Sequence, residues 1–124
     1  MAVASNSTQS DLPSIIMQGG HTATTAYMDL LTAGTGTVYT MSINNSANSD
    51  ATHFKLWDAR AVTVGTTEPA FVFRCTASKI HTISSKTGMT FSTGLSVGIT
   101  DETGGGKASG SATGSNVQWV VFGS

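Results

Sequence analysis

The stretch VYTMSIN, residues 38–44, sets Tyr39, Met41 and Ile43 against Thr40, Ser42 and Asn44 in strict alternation. Successive side chains of a strand point to opposite faces, so this period of two predicts a strand with one buried and one wet face. The same reading extends outward along the chain. HFKLWD (53–58) places Phe54 and Leu56 on one face and Lys55 and Trp57 on the other. AFVFRC (70–75) points Phe71, Phe73 and Cys75 one way and Ala70, Val72 and Arg74 the other. KIHTIS (79–84), MTF (89–91), LSVGIT (95–100) and VQWVVF (117–122) complete the set of strands. Between them lie turn formers. NNSANSD (44–50) carries side chains that satisfy their own backbone, and AVTVGTTEP (61–69) runs from an apolar piece into a turn bracketed by Gly65 and Pro69. Strands recurring about every ten residues with turns between them predict an all-β domain, a single antiparallel β-sandwich of jelly-roll-like form.

Upstream of Val38 the signals weaken. TTAYMDLL (24–31) has Tyr27, Leu30 and Leu31 at helical spacing, but Gly34 and Gly36 close it, and we read it as a strand or extended segment. Residues 1–14 read as an extended arm that orders on binding, and 15–124 as the sandwich. The Gly/Ser-rich stretch 101–116 reads as a flexible loop.

Composition narrows the function classes. Thr, Ser and Gly supply 50 of the 124 residues, too polar for a helical bundle, while 39% hydrophobic content is too apolar for disorder. Six Lys plus Arg against seven Asp plus Glu leave a net charge of −1, which argues against a nucleic-acid partner. No run approaches the roughly 18 apolar residues of a spanning helix, so no membrane partner is expected. Residues 1–14 lack the basic and apolar regions of a secretory signal, which predicts synthesis in the cytoplasm and gives the triplets at Asn6 and Asn44 no weight as glycosylation sites. The single Cys75 excludes an internal disulfide and reads as a buried small hydrophobe.

Four patterns invite a chemical reading, and each fails on context. Gly94-Leu95-Ser96-Val97-Gly98 matches a nucleophile elbow, but alternation runs straight through it, so Ser96 reads as an ordinary strand residue. The three glycines before Lys107 lack the first glycine and final hydroxyl of a phosphate loop, since Asp101 and Ala108 stand there. His21, His53 and His81 are too far apart to announce a zinc site, and His53 and His81 read as strand-surface residues. Asp101 and Glu102 lack further oxygen ligands at set spacing. No catalytic residue, metal or cofactor is therefore expected. Core packing is the first reading of both tryptophans; Trp119, alternating with Val117 and Val121, fits it best, whereas Trp57, beside Lys55 on the face opposite Phe54 and Leu56, is the better interface candidate. Ile15, Ile16 and Met17 read as a segment able to add to a neighbour's sheet edge.

Residues 54–100 carry a resemblance. FKLWDARAVTVGTTEPAFVF followed by ISSKTGMTFSTGLSVGIT resembles a family of small β-sandwich virion proteins of tailed phages. The match rests on Lys55, Leu56, Trp57 and Asp58, then Val64, Gly65, Thr66 and Pro69, then Gly88, Phe91, Thr93, Gly94, Leu95 and Thr100. The resemblance implies a non-enzymatic capsid decoration (cement) protein on the outer surface of the head, bound to the major capsid protein and self-associating as a trimer or a dimer. Because the family also reaches tail and fibre components, a module recognising host-surface glycan through Trp57 or Tyr39 is the alternative.

Overall fold

The computed structural model describes residues 15–21, 29–110 and 115–124. Its eight strands are β1 (Ile15–His21), β2 (Asp29–Ala33), β3 (Gly36–Asn44), β4 (Thr52–Asp58), β5 (Phe71–Cys75), β6 (Ile80–Phe91), β7 (Gly94–Asp101) and β8 (Val117–Gly123). The pairing is nested and antiparallel throughout: β1 with β8, β2 with β7, β3 with β6 and β4 with β5. That is one long hairpin. Two further pairings, β3 with β8 and β4 with β7, roll it into two four-stranded sheets in the orders β1-β8-β3-β6 and β2-β7-β4-β5. The protein is therefore an all-β sandwich with jelly-roll winding.

The core lies between the sheets. The first contributes Val38, Met41, Ile43, Val117, Trp119 and Val121, and the second Phe54, Leu56, Cys75, Leu95, Val97 and Ile99. The rings of Phe54 and Trp119 meet across the sandwich at 6.1 Å between centroids. The inward sets of β4, β5 and β7 are those that alternation predicts. Burial pushes the Cys75 thiol up to about 11, as expected of a thiol packed as a hydrophobe.

Three expectations are corrected here. Tyr39 does not join Met41 and Ile43 inside, being 39% exposed, because the register shifts between Val38 and Thr40 and this bulge turns Val38 inward instead. The stretches 79–84 and 89–91 form one strand, β6, whose partner residues jump from Thr40↔Ser84 to Val38↔Met89. Residues 85–88 stand opposite Tyr39 alone, an excess of three, and Gly88 ends them at a φ of 76°, where a Cβ would collide with Thr37 Cγ2. Finally, Ile15, Ile16 and Met17 do not wait for a neighbour's sheet. They lie in β1 and pair with Gly123, Phe122 and Val121 of β8 in the same chain, with Met17 packed against the core. The proposed arm, 1–14, lies outside the described residues, as does the part of 24–31 that precedes β2.

Candidate functional site

The outer face of the β2-β7-β4-β5 sheet collects the side chains that look most chemical. His53, Lys55, Trp57, Ser96 and Thr100 all point there, and all are buried. The β4–β7 register sets His53 opposite Thr100 and Trp57 opposite Ser96. A buried lysine, histidine and serine on one patch of sheet would suggest catalysis. Their hydrogen bonds run to the chain's own backbone.

Each of the five is spent on a backbone carbonyl, four of them in loops lying over the face and the fifth at the end of β7 where one of those loops begins. Lys55 Nζ donates to Ala108 O at 2.7 Å, and Trp57 Nε1 donates to Thr67 O at 3.0 Å. Ser96 Oγ donates to Ala59 O at 2.7 Å, and Thr100 Oγ1 to Gly104 O at 2.8 Å. His53 Nδ1 lies 2.8 Å from Asp101 O, and since a carbonyl only accepts, that nitrogen carries the hydrogen. Two loops thus close over the sheet, 59–70 and 101–110, and they meet where Ser109 sits beside Gly65, whose φ of 94° favours glycine. Under the first loop, Trp57, Val62 and Val64 form a second small core.

Trp57 is consequently fully buried and offers no ring to a partner or a sugar: it packs as core, and its candidacy as an interface aromatic is corrected. His53, expected on the strand surface, is buried as well. The loop expected to be flexible is laid down on the sheet over 101–110, while 111–114 lie outside the described residues. Within that loop Asp101 Oδ1 accepts from Thr103 N at 2.9 Å, and Glu102 pairs with Arg74, so the two carboxylates have structural work. Lys55 lies in no ion pair among the described residues, and burial lowers its pKa from the ordinary lysine value. His81 Nε2 accepts from Thr76 N at 3.0 Å, and its ring meets Phe73 edge-on. Ser96 sits in the middle of β7 rather than on a turn.

Asp58 accepts from the backbone of the β6–β7 turn: Thr93 N at 2.8 Å, Ser92 N at 3.0 Å and Gly94 N at 3.4 Å. The register Asp58↔Leu95 brings that turn alongside. These backbone N–H groups, Thr93 foremost, hold the Asp58 carboxyl below its ordinary range.

The outer face of the other sheet is built differently. Strand pairing places Gln18, Val120, Ser42 and Thr82 in one cross-strand row and Gly20, Gln118, Asn44 and Ile80 in the next. All are exposed or half-buried, and none carries a charge. A concavity of about 470 Å³ opens over these rows, lined by Gln18, Gly20, Ser42, Asn44, Gln118 and Val120 together with Gly19 and Trp119. No sequence signal pointed to it, because only Ile15, Ile16 and Met17 of β1 read as strand-forming, and Gln18–His21 show no alternation.

Among the described residues, no group of three His, Cys, Asp or Glu is placed to hold a metal ion, and no helix is long and apolar enough to cross a membrane. No family model matches the chain, and no curated protein matches it by sequence. Among solved structures it is similar to a protein of the disulfide-linked pili formed by Bacillus endospore appendages, with 9% identity and a TM-score of 0.48 over 87% of this chain and 84% of that one. It is also similar to PliG, a periplasmic inhibitor of g-type lysozyme from Aeromonas hydrophila, with 15% identity and a TM-score of 0.39 over 93% of this chain and 90% of that one. The fold assignment rests on the strand pairing alone.

Proposed function

We propose that the protein is a phage capsid decoration protein that binds the outside of the assembled head and stabilises contacts between major capsid protein subunits. The observation that carries this reading is the contrast between the two outer faces. One is sealed by the chain's own loops, with its polar side chains committed to backbone carbonyls. The other is an open, uncharged sheet face. The residues shared with the virion family fit the same picture. Trp57, Val64, Gly65 and Asp58 are what seal the closed face and pin its turns, so the resemblance marks a rigid building block.

Stabilisation then follows from mass action. A protein that binds only the assembled lattice raises the cost of dismantling it in proportion to occupancy. Only 10% charged residues suits packing of many copies side by side, where like charges would repel. The protein would be made in the host cytoplasm and would act as a trimer or a dimer on the head surface. The test is to mix the purified chain with heads of its own phage that lack it, then measure co-sedimentation, saturation ratio and head disruption temperature. Saturable binding at parity with the major capsid protein, or at about a third of it, is expected. Absence of binding overturns the proposal, and a handful of copies per native particle would move the protein to the tail.

A further inference from the structure

A glycine inside a regular strand weakens it and marks a bulge, a bend, or close approach by a ligand or another backbone. β1 has two in succession. Gly19 has its reason inside the fold, because a Cβ there would stand 2.8 Å from Trp119 Cζ2. Gly20 has no such reason. It is not among the glycines with positive φ, and the register of β1 on β8 runs unshifted from Ile15↔Gly123 to His21↔Val117. A Cβ at Gly20 would meet Gln118 Cγ at 3.4 Å and backbone no nearer than 3.8 Å, which is ordinary contact. A side chain is therefore compatible with the fold at this position. What it would fill is the concavity.

From this juxtaposition we propose that the concavity over Gly20, on the outer face of β1, β8 and β3, is a binding site for a neutral carbohydrate. The lining has the chemistry such a ligand needs. The carboxamides of Gln18, Asn44 and Gln118 each offer donors and an acceptor in one plane, and Ser42 adds a hydroxyl, a set that matches neighbouring sugar hydroxyls. Asn44 Oδ1 accepts from Ser46 N at 2.9 Å, which leaves its Nδ2 as the donor on offer. Gln18, Gln118 and Ser42 make no side-chain hydrogen bond to the described residues, so a ligand need not displace one. Val120 supplies one apolar contact between them. The lining holds no charge, which selects against anionic ligands. The centre of a protein–protein interface is rich in aromatic and apolar side chains; here, apart from Val120 and the buried Trp119, the lining side chains are amide and hydroxyl, which suits a sugar better than a second copy of the chain. Three strands at about 4.8 Å spacing by one pleat repeat of about 7 Å give the footprint of a mono- or disaccharide. Sugar binding here does not require head binding, and on any array of copies that leaves this face outward its repetition would turn weak single contacts into avidity.

The test is performed on the isolated full chain. A ¹⁵N-labelled sample is titrated with maltotriose, mannotriose, galactotriose and chitotriose to about 20 mM, well above the ~1 mM constants of weak sites. At least one sugar is expected to shift the amide signals of Gln18, Gly20, Ser42, Asn44 and Gln118 saturably. Gly20→Thr should weaken that binding by about tenfold or more while leaving Tm unchanged or higher, since threonine suits a strand better than glycine. Gln118→Ala, an exposed substitution that spares the fold, should weaken it by a similar factor through loss of its hydrogen bonds. Absence of shifts with all four sugars, or shifts confined to another face, overturns the proposal. So does concentration-dependent self-association that Gly20→Thr abolishes, which would assign the concavity to a second copy.

Discussion

Replacing Trp57 by alanine removes the largest side chain of the second core, one that is fully buried under loop 59–70. Truncating a buried tryptophan costs about 3–5 kcal/mol in lost transfer energy and residual cavity. The lost Nε1–H bond to Thr67 O, 3.0 Å long, adds about 1 kcal/mol, because the loop carbonyl it served lies close to solvent and recovers part of the cost from water. The sum is about 4–6 kcal/mol against a total of about 5–15 kcal/mol for a domain of this kind. With a urea slope near 2 kcal/mol/M, the unfolding midpoint should fall by about 2–3 M. Trp57→Phe separates the two terms, because it keeps most of the ring and loses the donor, and it should lower the midpoint by about 0.5–1 M. The measurement is equilibrium urea unfolding followed by circular dichroism, with head binding assayed at a temperature where the variants stay folded. A midpoint lowered by less than about 0.5 M in Trp57→Ala, together with loss of head binding, would refute the reasoning and return Trp57 to an interface.

Asp58 makes stability depend on acid. Its carboxyl is held below the ordinary range by backbone N–H groups, so its contribution is fully present above the unfolded value near pH 4 and is lost as pH falls through the lower folded value. Thermal melts from pH 7 to pH 2 should show a shallower acid decline in Asp58→Asn than in the parent chain. Lys55→Ala removes the ammonium that holds Ala108 O, so trypsin should cut after the exposed Lys107 about tenfold faster under native conditions, as mass spectrometry of the fragments can read. Cys75, fully buried and with its thiol pushed up to about 11, should react with a disulfide reagent at pH 8 only at the rate of global unfolding, with complete reaction in denaturant.

The strands legible from sequence were those with one wet face. β3 and β8 alternate in burial as their residues alternate in polarity, except where the bulge at Val38 and Thr40 breaks the period. β4 and β7 were found from their apolar sets, but nearly every residue in both is buried. Alternation reads His53, Lys55, Ser96 and Thr100 as wet, since nothing local announces that loops distant in sequence fold back over them. One hint was present: Ser96, Gly98 and Thr100 are small, and a face of small residues leaves room for a covering backbone. The open face was hidden for the opposite reason. Two glycines and no period of two concealed β1, so the row that joins Gly20 to Gln118 and Asn44 appears only when strands from both ends of the chain are side by side.

The nested pairing bears on how the chain reaches its fold. Its innermost pair, β4 with β5, closes over the loop between Leu56 and Phe71, whereas β1 finds its partner only when β8 has been made, with Ile15 against Gly123. Such long-range pairing makes for slow folding, with the local hairpin the cheapest place to begin. At about 5–20 residues per second of synthesis, the Ile15-Ile16-Met17 strand leaves the ribosome roughly 5–20 s before its partner exists. During that interval its edge is open to any β8 within reach, including one from a chain further along in synthesis. In the proposed decoration role, which calls for many copies at once, β1 would be both the last folding step and the readiest route to strand exchange.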